Sequence, residues 1–426
     1  MTGVDLAAAR ALDAADPLAR WRDEFWIPER ADGRPQDYFT GNSLGLQPKR
    51  LAAEMAEELA AWRRHGVEGH FEGRHPWMPY HEFVREPLAR LVGARPDEVV
   101  AMNSLTVNLH LLMASFFRPS GRRRKILIED HAFPSDRYAV RSQLRYHGLD
   151  EDADLVVVGA GDDGEVIEEA DVEACLAEHG DEIALVLWPG VQYASGQSFD
   201  LQRIASSARA AGAAVGFDLA HAVGNVPLAL HDSGADFAVW CSYKYLNSGA
   251  GAVAGAFVHE RHHQQRDIPR FEGWWGHRAD TRFQMGDRFE PAPGADAWQL
   301  SNPPILALAP VRVSLGIFDE VGMPALREKS LALTGFLERA VQAELGGEID
   351  ILTPGDPPRR GCQLSLRLKR GRDVGRAVFE ALTQSGVITD WREPDIIRAA
   401  PVPLYNRFED CRRLVDALRG ALGACR

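Results

Sequence analysis

The chain has 426 residues, 45% apolar and 26% charged, a balance that supports a large buried core and excludes disordered, collagen-like and coiled-coil chains. Its 48 lysines and arginines stand against 61 aspartates and glutamates, for a formal charge of −13. Such a chain lacks the positive field that holds polyphosphates, so no nucleic-acid partner is expected, and the arginine run at Arg122–Arg124 is too short to reverse that. The five cysteines (Cys175, Cys241, Cys362, Cys411 and Cys425) are widely spaced and contain no CxxC pair. They suggest neither a disulfide framework nor a zinc ribbon and fit a reducing compartment. The opening MTGVDLAAARALDAAD carries Asp5, Asp13 and Asp16 and lacks the basic start and apolar run of a secretory signal. No apolar stretch approaches the ~18 residues that suggest a membrane span, so no membrane association is expected and the cytoplasm is the expected address.

The first 45 residues are too few for a core of their own and read as an arm packed onto the rest. From about residue 95 to 260, short apolar runs alternate with helix-like segments. EVVAMN reads as a strand, and NSLTVNLHLLMASFF after it has helical spacing with a polar cap at Asn103 or Ser104. KILIED, DLVVVGAG, EIALVLWPG and AAVGFD are β-rich runs bounded by Gly, Pro or Asp, and VEACLAEHG and LQRIASSARAAG are helices closed by glycine. DFAVWC and GAVAGAFVH add two more strands. This alternation predicts an α/β fold around a mostly parallel sheet covered on both faces. SNPPILALAPVRVSLGIFDEVG then reads as a Pro-initiated helix leaving the sheet. Beyond about residue 325, helices (LREKSLALTGFLERAVQAEL, RDVGRAVFEALTQSG) and short strands (GCQLSLRL, DIIRAAP) make a smaller α+β domain. The expected division is an arm over 1–45, a large domain over 46–305 and a small domain over 306–426.

The densest chemistry lies in VGFDLAHAVGN and WCSYKYLNSGAGA. Asp218 ends a strand-like run and His221 follows three residues later. Ligands of open parallel sheets bind beyond the carboxyl ends of the strands, so both side chains are expected to face a crevice. Lys244 stands between Tyr243 and Tyr245. Aromatic surroundings strip hydration from an amine and favour the neutral, nucleophilic form that a Schiff base needs. A Schiff-base lysine with a carboxylate for a pyridinium nitrogen is what pyridoxal phosphate requires. The start of the NSLTVNLHLL helix, with Ser104, Leu105 and Thr106, offers an anion site for its phosphate. Tyr243 adds a donor, and Phe133 in DHAFPSD offers an aromatic face. Taken singly, Asp218 reads equally as a helix cap, while His221 reads first as a local hydrogen bonder, Lys244 as a surface lysine and Phe133 as core. Their joint order on successive strand ends raises the catalytic reading.

At these residues the sequence resembles the kynureninase family, fold-type I pyridoxal-phosphate enzymes close to the class V aminotransferases. The resemblance runs from YFTGNSLGLQP through MNSLTVNLHLLMASFFRP, FPSDRYA, GFDLAHAVGNVPL, CSYKYLNSGAGA, GWWGH and SNPPIL to IIRAAPVPLYN. It implies a large domain with a mostly parallel, seven-stranded type of sheet and a smaller C-terminal domain. The implied reaction is hydrolysis of L-kynurenine to anthranilate and L-alanine, in tryptophan degradation. By resemblance, Lys244 is the catalytic lysine that carries the cofactor. Leu105, Thr106, Phe133, Asp136, Asp218, His221, Tyr243, Trp274 and Asn302 are further cofactor contacts. Ser43, His70, Ser301, Asn302 and Arg398 are substrate contacts, with Arg398 clamping the α-carboxylate. Trp274 and Asn302 are expected to reach in from a neighbouring subunit, which implies a homodimer with shared sites. Pro189 departs from the hydroxyl residue that some members carry before GVQY, so only a backbone contact is expected there. The polar groups of His70, Ser301 and Asn302 predict that 3-hydroxykynurenine is accepted too, since unpaired donors would penalise its absence.

Three rivals stand beside this reading. A cysteine desulfurase of the same cofactor group needs a mobile-loop thiol, for which Cys362 is the one candidate. His259-Glu260-Arg261-His262-His263 matches the H-E-x-x-H zinc pattern but follows a strand-like run and has no obvious third ligand. No metal is therefore expected. A non-catalytic binding descendant of the fold is the third.

Overall fold

The computed structural model describes residues 3–160 and 166–425. Strand β1 (Asp37–Tyr38) belongs to the N-terminal arm. The large sheet is built by β2 (Val99–Ala101), β3 (Lys125–Glu129), β4 (Leu155–Val158), β5 (Ile183–Pro189), β6 (Ala214–Asp218), β7 (Phe237–Trp240) and β8 (Gly255–Val258). All seven fall within the β-rich runs expected from the sequence; Gly161, the last glycine of DLVVVGAG, lies outside the described residues.

Their order across the sheet is β2-β8-β7-β6-β5-β3-β4. Neighbours from β7 to β4 pair in parallel, while β8 pairs antiparallel with both β7 and β2, so β8 alone is reversed. Alternation places Leu127, Trp188, Val215 and Phe217 in one core and Ile126, Ile128, Leu187 and Val239 in the other. Burial of both faces explains why the strands read as continuous apolar runs.

Helices cover the two faces. α1 (Leu6–Ala14) lies in the arm, and α2 (Leu51–His65) and α3 (Arg85–Val92) precede the sheet. α4 (Leu105–Phe116), α5 (Pro134–Tyr146), α6 (Glu169–His179), α7 (Leu201–Ala210) and α8 (Leu230–Ser233) connect its strands. α9 (Ile305–Val321) contributes Leu308, Val311, Leu315 and Phe318 to the large core despite Pro310 in its interior. Gly322 ends it, and α10 (Met323–Leu345) turns its apolar side to a different core.

That second core lies under a four-stranded antiparallel sheet of order β12-β13-β10-β9, made of β9 (Ile349–Ile351), β10 (Leu364–Leu368), β12 (Asp390–Arg392) and β13 (Ile396–Ala399). Helices α10, α11 (Arg372–Gln384) and α12 (Phe408–Ala424) pack on it. β11 (Val387–Ile388) pairs with β1 of the arm. The arm also places Trp21 and Phe25 in the large core and Ala9 and Phe39 in the small one. Asp13 caps the start of α12, accepting from the Phe408 and Glu409 amides at 2.7 and 2.9 Å, so the arm ties the two cores together. No helix among the described residues is long and apolar enough to cross a membrane.

Candidate active site

The carboxyl ends of the parallel strands gather the expected residues from four separate turns. After β2, Asn103 adopts a left-handed backbone (φ 50°), so the chain turns at once into α4. Ser104 stands at the helix start without capping it through its side chain, leaving the first amides of α4, among them Leu105 and Thr106, available. Thr106 Oγ1 lies 3.0 Å from Ser135 Oγ in the first turn of α5, so two helix N-termini meet. Converging N-termini favour an anion. Phe133 immediately precedes α5, and Asp136 occupies its first turn.

β6 ends on Asp218, whose Oδ1 accepts from the Ala220 amide at 2.6 Å. Asp218 and Asp136 are 8% and 9% exposed and neighbour each other. Burial first, then the charge of Asp218, pushes the Asp136 carboxyl well above the usual range. Two buried carboxyls this close retain a proton between them. His221, also buried, has Nε2 3.0 Å from Lys244 Nζ. Burial first, then the Lys244 charge, holds this imidazole well below its ordinary value, so it is neutral. The Lys244 amine donates to Nε2, which leaves the ring proton on Nδ1. Lys244 Nζ also lies 5.8 Å from the Phe133 ring centroid. Burial raises the Tyr243 phenol above its usual range, keeping it a hydrogen-bond donor.

His221 Nδ1 and Asp136 Oδ1 are buried with no hydrogen-bond partner. A buried polar atom without a protein partner calls for a partner from elsewhere, and two of them fall in this one cluster. An amine, a carboxyl pair holding a proton, an aromatic face and two helix N-termini together fit pyridoxal phosphate: the lysine for its aldehyde, the acid for its ring nitrogen, the amides and hydroxyls for its phosphate.

Other expected residues lie elsewhere within this chain. Ser43 sits in a turn, its amide bonded to the Thr40 carbonyl at 2.8 Å. The same arm segment reaches the lysine turn, since the Gly45 amide donates to the Tyr243 carbonyl at 2.8 Å. A Cβ on Gly45 would collide with the Lys244 carbonyl, which is why glycine stands there. His70 Nδ1 bonds the Val67 carbonyl at 2.9 Å, and its ring packs edge-on against Trp77. Trp274 is 48% exposed and packs against Phe283, while Ser301 and Asn302 are exposed; among the described residues these three make no hydrogen bond to the Lys244 group. Arg398 is 0% exposed, paired with Asp390 at 2.6 Å and bonded to the Tyr193 carbonyl at 2.7 Å.

Sequence reasoning missed four residues that shape the site. The Tyr193 ring stands 5.2 Å from that of Phe133 and 6.0 Å from the Arg398 guanidinium. Asp390 holds Arg398. Asn225 donates to the His221 carbonyl at 2.8 Å and accepts from the Cys362 amide of the small domain at 2.9 Å. Asn247, left-handed at φ 59°, donates to the Tyr245 carbonyl at 2.9 Å and accepts from the Leu46 amide, just past the arm, at 3.1 Å. Nothing local in the sequence signalled these distant partners.

The rivals fare differently. Cys362 is fully buried and burial pushes its thiol up to about 12, the opposite of an accessible sulfur acceptor. His259 and His263 do not share a helical face. His259 Nδ1 accepts from the Arg261 amide at 3.2 Å, and His263 Nε2 bonds the Val258 carbonyl at 3.0 Å. His259 does approach His231 and Glu98, with ligand atoms within 4.8 Å of one another. That carboxylate is already committed to the Arg95 and Glu260 amides and to His231 Nδ1, each at 2.9 Å.

Two family models match the chain: aminotransferase class V over residues 38–343 and kynureninase C-terminal domain over residues 326–418. The kynureninase of Xanthomonas campestris pv. campestris (strain B100) is 60% identical over 409 residues, covering 96% of each chain. That of Stenotrophomonas maltophilia (strain K279a) is 58% identical over 415 residues, covering 97% of this chain and 98% of the relative. Among solved structures, the cysteine desulfurase CsdA of Escherichia coli aligns with a TM-score of 0.75 at 15% identity, over 96% of this chain and 98% of that one. A mutant of C-DES with glycine covalently linked to its PLP cofactor aligns with a TM-score of 0.75 at 18% identity, over 90% and 96%. These last two likenesses speak to the fold alone. With near-complete coverage by its relatives and the lysine, carboxyl pair and helix N-termini assembled at one sheet edge, the chain belongs to the kynureninase family of pyridoxal-phosphate enzymes, built on the class V aminotransferase fold.

Proposed function

We propose that the chain hydrolyses the Cβ–Cγ bond of L-kynurenine to give anthranilate and L-alanine, serving tryptophan degradation, with the Lys244 group as its catalytic centre. The observation that carries this reading is the Lys244 amine, 3.0 Å from a neutral His221 and beside the buried Asp136–Asp218 pair. Lys244 holds the cofactor and, once released by the substrate amine, moves the proton at Cα. Asp218 and Asp136 keep a proton at the ring nitrogen, the α4 and α5 N-termini with Thr106 and Tyr243 hold the phosphate, and Phe133 covers the ring. Bound pyridoxal phosphate supplies the electron-accepting ring that makes carbon–carbon cleavage accessible. His221 accepts from the Lys244 amine and orients it. Arg398 binds the α-carboxylate. The oxygen of water ends on the former Cγ carbonyl carbon as the anthranilate carboxylate, and Cβ gains a proton as the alanine methyl.

His70, Ser301 and Asn302 border the substrate's aromatic ring, and their donors extend acceptance to 3-hydroxykynurenine; Ser43 is a further substrate contact. Exposure of Trp274 and Asn302 suits sites shared between two copies. An apolar cleft of about 770 Å3 between arm and lysine turn, lined by Trp26, Leu44, Leu51, Met55, Leu306 and Pro310, suits the same homodimer.

Purified protein incubated with L-kynurenine should release fluorescent anthranilate and L-alanine, and borohydride should fix the cofactor on Lys244. Absence of anthranilate, or label on a different lysine, would overturn the assignment. Release of sulfide from cysteine would favour the desulfurase instead. Mixing and refolding Lys244→Ala with Asn302→Ala protein should give turnover above the mean of the two alone if sites are shared.

A further inference from the structure

β12 and β13 pair antiparallel with Asp390 opposite Arg398 and Arg392 opposite Ile396. Side chains alternate across a strand, so Asp390, Arg392 and Arg398 stand on one face of the small sheet. Arg398 has spent much of its donor capacity inside the protein. One terminal nitrogen serves Asp390, the other the Tyr193 carbonyl, and its Nε is buried without a partner. Arg392 shares the buried Nε without a hydrogen-bond partner but is otherwise more open. Its Nη2 donates to Asp390 Oδ2 at 3.1 Å and its Nε lies 3.0 Å from Oδ1, yet its side chain is 35% exposed. Among the described residues its hydrogen bonds go to Asp390 alone.

Charge bears on the choice. An Arg398–Asp390 pair is neutral and offers an incoming carboxylate little net attraction to offset its dehydration. Adding Arg392 makes the trio a +1 site. Both guanidiniums act on the same two residues of the site. After burial and Lys244, Arg398 and Arg392 are what hold the His221 imidazole down, and both also act on the Tyr193 phenol.

We propose that Arg392 is a second binding residue for the substrate's α-carboxylate, acting beside Arg398 while Asp390 holds both guanidiniums in place. This rests on the amino-acid chemistry proposed above and adds a residue to it. A planar fork with N–H groups to spare suits a carboxylate, and the half-buried Arg392 can turn from Asp390 to an entering anion.

The test uses the holoenzyme and two probes read by calorimetry: L-alanine, and ethylamine, which is alanine without its carboxylate. Arg392→Gln should weaken L-alanine about ten- to a hundredfold, the loss expected for a charged hydrogen bond, and leave ethylamine within about twofold. With L-kynurenine the same variant should raise KM more than it lowers kcat. Arg392→Lys, keeping the charge without the fork, should fall between the two proteins. Unchanged L-alanine affinity in Arg392→Gln overturns the proposal, as does equal weakening of both probes, which would mark a purely structural ion pair. Should Arg392→Gln not fold, Arg392→Met keeps the stem and faces the same outcomes. Because alanine binding is read without turnover, a wild type that fails to cleave kynurenine would sink the functional reading and leave this test standing.

Discussion

The large sheet buries carboxylates and imidazoles at both of its ends, and the two ends differ in how those groups are satisfied. At the amino edge, Glu98 accepts from two backbone amides and His231. Asp236 accepts from the Val215 amide at 2.8 Å and from Arg261 and His262 at 2.7 Å each. At the carboxyl edge, Asp136 and His221 each keep a buried atom with no partner. The composition of the two clusters is similar; hydrogen-bond completeness is what separates the structural clamp from the candidate site. His259 and Asp218 each end a strand, and only the second ends it at the edge where parallel strands open a crevice.

Substitutions should break the two ends in opposite ways. Lys244→Ala should lower turnover by more than about a thousandfold, and Asp218→Asn by about a hundred- to a thousandfold, with the thermal midpoint of the cofactor-free protein little changed. Assaying both variants alongside melting curves checks this, and retained turnover in Lys244→Ala would remove it from the chemistry. Glu98→Ala should do the converse. It strands two backbone amides and His231, costing about 2–4 kcal/mol in denaturant unfolding while kcat per folded molecule stays near wild type.

The smallest expected effect is a pH slope. Burial, then the Arg261 charge, holds His259 down to about 4 against 6.5 for the free side chain. The unfolded chain therefore takes up a proton that the folded one refuses. This contribution is whole above pH 6.5 and is lost as the pH falls towards 4. Unfolding measured across that window should show a shallower loss in His259→Gln than in the wild type.

Local patterning carried much of the fold and part of the site. The seven large-sheet strands read as apolar runs because both faces are buried, and Asp218, His221 and Lys244 read as chemistry because they follow strand ends. The short strands β9, β11 and β12 did not read as strands, since two or three residues carry too little periodicity. Tyr193, Asp390, Asn225 and Asn247 were not legible as site residues. The Tyr193–Arg398 bond joins positions 205 apart, and the Asn247–Leu46 bond positions 201 apart.

By itself, then, the order of residues determined which side chains stand at the carboxyl ends of the strands, because strand periodicity and turn chemistry act over a few neighbours. Tertiary structure alone decided which polar atoms are left unpaired, how Asp390 draws Arg398 into full burial while leaving Arg392 half free, and how the arm and small domain close on the lysine turn. Those outcomes depend on burial and on partners brought together by folding, which no local window of sequence contains.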